Sequence, residues 1–103
     1  MRREPTALGY VNDDVSAAAS WDLAQCRRLA RRLGYRLIWP SSECVLGLVD
    51  QVRSADVDAV IVPSAAHLDE PTLDRLMHSC DVETVSPPQT YARYFGGRQG
   101  CPA

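Results

Sequence analysis

The pattern of apolar and polar positions divides the chain into short blocks, and the clearest of them is Asp58–Ser64. Ala59, Val60, Ile61 and Val62 are apolar in succession, three of them are β-branched, and Pro63 closes the run. β-Branched side chains are stiff at χ1 and fit a pleated surface. A short run apolar on both faces predicts a strand covered by layers on either side, as in a parallel sheet. Ligands of such sheets sit at the carboxyl ends of the strands, so function is expected just after Val62.

The other blocks follow this reading. Thr6–Val11 is the first expected strand, and Asn12-Asp13-Asp14 ends it with turn formers. Val15–Ala19 reads as loop or an early helical turn. Ser20 is the expected N-cap of a helix over Trp21–Leu33, with Asp22 in its first turn. Leu23, Cys26, Leu29, Ala30 and Leu33 repeat at helical spacing and predict its buried face. Gly34 is placed to stop it. Tyr35–Trp39 is the second strand, ended by Pro40. Ser41 or Ser42 is expected to cap a second helix running to about Ser54, with Val45, Leu48, Val49 and Val52 as its stripe and Gly47 weakening its interior. Asp69 caps a third helix that tolerates Pro71 in its first turn and buries Leu73, Leu76, Met77 and Cys80. Val82–Val85 is a fourth strand. Pro87-Pro88 breaks the chain before Gln89–Phe95, which reads as a short terminal helix.

Alternating strands and helices predict one α/β domain of three layers, with a mainly parallel four-stranded sheet. The domain takes in residues 1–103, with a core over about 6–95 and a loose tail over 96–103. Trp21 and Trp39 are expected in the core or at its rim. Tyr91, Tyr94 and Phe95 are expected to pack the last turn on the sheet, and His67 to lie on the surface.

Composition narrows the function classes. Eleven basic and thirteen acidic residues leave a formal charge of −2. That balance argues against strong nonspecific nucleic-acid binding, which rests on many cation–phosphate contacts. No apolar run approaches the ~20 residues that span a bilayer. Arg2-Arg3 leads into Glu4-Pro5 rather than an apolar segment, so no secretory signal is read and a cytoplasmic location is expected. The end, Cys101-Pro102-Ala103, is one residue short of a prenylation box. Cys26, Cys44, Cys80 and Cys101 are far apart, without the paired spacing of a zinc site. The first three are expected as buried thiols, and no metal or cofactor is expected.

The arrangement resembles the catalytic domain of serine recombinases, the resolvase/invertase family. Ala7–Val11, the helix and Gly34-Tyr35 stand where that family has its first strand, a helix and a Gly-Tyr before the second strand. Asp58–Val62, Ala65–Glu70 and Asp81–Val85 stand where it has an Asp-led apolar strand, a Leu-Asp-Arg-Leu-x-Arg segment and a later strand. The resemblance covers about residues 6–95 and implies a resolvase-like fold. It does not carry the chemistry. Where the family has Tyr-x-Arg-x-Ser, this chain reads Tyr10-Val11-Asn12-Asp13-Asp14, so Asn12 replaces an arginine and Asp14 the nucleophilic serine. Ala66 and His67 replace an Asp-Arg pair, and Glu70 the next arginine. Attack on DNA phosphorus needs the serine, and the charged transition state needs the arginines. No room is expected after Phe95 for the family's dimerisation helix and DNA-binding domain. The expectation is a non-catalytic binding or regulatory relative of site-specific recombinases, with no catalytic residues.

The alternative is a phospho-switch or small enzyme. Asp13-Asp14 resembles the acidic pair of response-regulator receiver domains, although Pro63 or Ser64 stands where their acceptor aspartate would be, and the chain has no lysine. The same pair could otherwise be a solvated turn. Ser64 lacks the GxSxG setting of an activated serine. For a macromolecular partner the candidate residues are Arg27, Arg28, Arg31 and Arg32, which cover about 140° of one helix face at ~100° per residue. An acidic protein or nucleic acid would suit that face, and a second copy of the chain is a further candidate partner.

Overall fold

The computed structural model describes residues 4–12, 14–40 and 47–94. Five strands form one sheet: β1 (Thr6–Gly9), β2 (Arg36–Ile38), β3 (Ala59–Val62), β4 (Asp81–Thr84) and β5 (Gln89–Tyr91). The order is β2-β1-β3-β4-β5. The first four strands are parallel, and β5 runs antiparallel to β4 with Val82 opposite Tyr91. The sheet is therefore five-stranded rather than four-stranded, and it is mainly parallel as expected, with one antiparallel edge strand that makes it mixed. The terminal helix expected over Gln89–Phe95 is replaced, within the described residues, by β5. A turn holding a cis Ser86–Pro87 bond reverses the chain. The Thr84 hydroxyl donates to the Pro87 carbonyl at 2.6 Å, and the Thr90 hydroxyl to Glu83 at 2.6 Å, fastening the new strand to β4.

The alternation of β3 builds the three layers. Ala59 and Ile61 pack with Cys26, Leu29 and Ala30 of α1 (Ala19–Leu33) on one face. Val60 and Val62 pack on the other with Val52 of α2 (Leu48–Ala55) and Leu76 of α3 (Glu70–Met77). All four β3 side chains are fully buried, as the apolar run requires.

Local signals explain the helix ends. Gly34 closes α1 in the left-handed region at φ 84°, and the next amide, Tyr35, donates to the Ala30 carbonyl at 2.9 Å. Asp69 caps α3 by accepting from the Thr72 N–H at 2.9 Å. Ser20 is not the cap of α1. The helix begins two residues earlier, at Ala19, with Ala18 as the flanking residue, and the Ser16 hydroxyl bonds Asp22 at 2.6 Å. Gly47 is not interior to α2 but its N-cap, in extended conformation. Ser41, Ser42, Cys44 and Val45 lie outside the described residues, as do Phe95 and the 96–103 tail.

Both tryptophans need separate accounts. Trp21 is 64% exposed, because five residues before Cys26 turns it about 140° from the buried face. Leu33, also expected inside, is 44% exposed in the final turn of α1. Trp39 lies at the core rim against Gly9, where an added Cβ would come within 2.5 Å of the ring. Glycine at position 9 is thus set by the approach of the indole.

Cys26 and Cys80 are fully buried, as expected. Burial, aided by the nearby charges of Asp22 and of Asp81 respectively, pushes each thiol up to about 12. The thiolate is the reactive form. In a variant with Cys44 and Cys101 replaced by serine, both remaining thiols are expected to resist a disulfide reagent in native buffer and to react fully in denaturant. Rapid native labelling would contradict this packing.

Candidate functional site

The strand order places a crevice between β1 and β3, because the chain leaves β1 toward β2 on one side and β3 continues the sheet on the other. The loops after these two strands meet at the carboxyl edge, where open α/β sheets hold ligands. The Tyr10 N–H still donates to the Ile61 carbonyl at 3.0 Å, extending the β1–β3 ladder to its rim. Beyond it Asn12 begins a tight turn. Its carbonyl accepts from the N–H groups of Val15 and Ser16, and its side-chain oxygen accepts from the Asp14 N–H at 3.0 Å. This is the local bonding by which asparagine favours turns.

From the other side, Ala65–His67 form a 3₁₀ turn whose His67 N–H donates to the Ser64 carbonyl at 3.1 Å. The turn carries His67 back over the end of β1. Its Nδ1 accepts the Asn12 N–H at 2.9 Å, joining residues 55 apart in sequence. His67 is 5% exposed, so the expected surface histidine is a buried one. A ring nitrogen that accepts cannot carry a proton, which fixes the neutral tautomer with hydrogen on Nε2. Burial holds the imidazole pKa below its ordinary value, and the negative charge of Asp22 only partly opposes this.

A cavity of about 600 Å³ opens beside this bond. Tyr10, Asn12, His67 and Leu68 form its floor at the sheet edge. The first turn of α2 with Arg53 forms one wall, and Asp69, Thr72 and Arg75 of α3 form the other. The packing of α2 and α3 on one sheet face brings both arginines to the same opening. Neither Arg53 nor Arg75 makes an ion pair among the described residues.

The residues singled out from sequence are distributed differently. Asp14 is exposed in its turn, and Asp13 lies outside the described residues. No group of three metal-ligating side chains occurs among the described residues. Pro63 is buried and Ser64 half-buried at the end of β3. Arg27, Arg28, Arg31 and Arg32 are all exposed on α1, the helix on the opposite face from the cavity. The Arg27 guanidinium stands 5.9 Å from the Trp39 ring centroid. Sequence reasoning missed His67, Arg53 and Arg75 as neighbours. Only the rule that ligands gather at strand carboxyl ends pointed toward them. No helix among the described residues is long and apolar enough to cross a membrane.

Comparison with known proteins finds no matching family model, no matching curated protein and no matching solved structure.

Proposed function

We propose that the chain is a non-catalytic binding domain built on a serine-recombinase-like plan, with its ligand site in the cavity beside the β1–β3 crevice. The observation that carries the reading is the bond between the Asn12 N–H and His67 Nδ1. By the resemblance, Asn12 and His67 occupy two positions of transition-state arginines. Here they close on one another across the crevice and present no cation to a phosphodiester. The Ser16 hydroxyl donates to Asp22 and not to His67, so no serine–histidine pair is assembled there. Arg28, Arg31 and Arg32 make no ion pair among the described residues, which suits an acidic partner on α1 as part of the same proposal.

Incubation with supercoiled DNA followed by a denaturing gel tests the non-catalytic reading. The expected result is unchanged DNA and free protein. A covalent protein–DNA adduct, or nicked product that accumulates with protein concentration, would overturn it.

A further inference from the structure

We infer that the cavity between α2 and α3 binds the phosphate group of a small phosphate monoester. This rests on the binding-domain reading above and names its ligand class. The volume of about 600 Å³ lies within the ~300–1,000 Å³ range of small-molecule sites.

Three kinds of donor reach the cavity from three elements. Arg53 comes from α2 and Arg75 from α3, each exposed and neither in a salt bridge among the described residues, although the Arg75 charge acts on the neighbouring Asp69 carboxylate. Guanidinium groups match phosphate oxygens through paired N–H donors. His67 comes from the loop after β3. With its Nδ1 occupied by Asn12, the proton sits on Nε2, and that N–H makes no hydrogen bond among the described residues although the residue is only 5% exposed, the Asp22 carboxylate acting on the ring through its charge alone. A buried donor left unpaired is costly, so an acceptor at this position is favoured. The first turn of α2 adds backbone amides that its N-cap Gly47, having no side-chain acceptor, does not cap. By contrast, α3 is closed by its own Asp69.

Two carboxylates limit the charge the site accepts. Asp69 is committed to the Thr72 N–H, while Asp50 in the first turn of α2 also lines the cavity. The two arginines and two aspartates leave it formally neutral. A single phosphate with hydroxyl or amino groups that Asp50 can accept from satisfies this set. A nucleic-acid backbone, which draws its affinity from many cations, does not.

Titration of the full chain with inorganic phosphate and with AMP, at constant ionic strength, tests the assignment by amide proton–nitrogen NMR. Both are expected to shift the amides of Asn12, Leu48 and Val49 saturably, and adenosine is expected to shift them far less. The Arg53→Gln/Arg75→Gln double variant changes only exposed side chains and should keep the wild-type circular dichroism spectrum. It is expected to weaken both ligands by roughly tenfold or more. No saturable shift at about 10 mM of either phosphate ligand would overturn the proposal, since the weakest useful site lies near that range. Undiminished phosphate binding by the double variant would overturn it too. If adenosine bound as well as AMP at these amides, the cavity would remain a ligand site and the phosphate assignment alone would fail.

Discussion

Replacing Leu76 with alanine is expected to destabilise the fold by about 2–5 kcal/mol, the range for truncating a buried leucine. Leu76 is fully buried and sits in the cluster that joins β1, β3 and β4 to α2 and α3. Its neighbours Val52, Val60, Val62 and Val82 are also fully buried, so the wall of the resulting hole has little freedom to collapse. Its carbonyl accepts from the N–H groups of Ser79 and Cys80 at 2.9 Å each, which sets the turn leading into β4. The backbone bonds survive the substitution, so the loss is one of packing. Urea denaturation should show a lower midpoint with an unchanged slope. A loss under about 1 kcal/mol would mean that this layer is not packed as described.

The second large effect is expected at His67. His67→Ala removes the acceptor of the Asn12 N–H and empties a buried volume, at a cost of about 1–3 kcal/mol for the stranded donor. The same residue makes stability depend on pH. Its pKa in the folded protein lies below the ordinary 6.5, and burial is the main cause. The unfolded chain therefore takes up the proton first as pH falls. The stabilising contribution is complete above pH 6.5, declines below it, and is lost once pH falls through the depressed folded value. Protonation of Nδ1 would also set two donors face to face. Thermal unfolding of wild type and His67→Ala at about pH 7.5 and pH 5 should thus show a gap that narrows in acid. A gap that widens on acidification would indicate a protonated, ion-paired histidine instead.

How far the sequence disclosed this molecule depends on the range of the interaction. Gly34 and Asp69 were readable because a helix end is decided within a few residues, by one left-handed position or one side-chain acceptor. Ala59–Val62 was readable because both its faces are covered, and that leaves an unbroken apolar run. β5 was not readable. Tyr91, Tyr94 and Phe95 have helical spacing, whereas Gln89-Thr90-Tyr91 is a short strand at the sheet edge, and its pairing comes from β4 and from the turn before it. The start of α1 was misread at Ser20 because a good capping residue serves equally within a first turn. The site was the least legible part. Nothing near His67 in sequence marks it, since its partner Asn12 is 55 residues away and its burial arises when the 3₁₀ turn folds over β1. Arg53 and Arg75 carry no mark of their own in the sequence, and only the packing of α2 and α3 on one sheet face brings them to one cavity. The arginine face of α1, by contrast, is visible as a pattern, but the approach of Arg27 to the Trp39 ring is not.

A neutral His67 that accepts the Asn12 N–H at Nδ1 closes the crevice. Long-range proton–nitrogen NMR of the imidazole ring reads this directly. At about pH 7.5 the account predicts a protonated Nε2, an unprotonated Nδ1, and scalar coupling from the Asn12 amide across the bond to Nδ1. A proton on Nδ1, or an imidazolium ring at that pH, would contradict it.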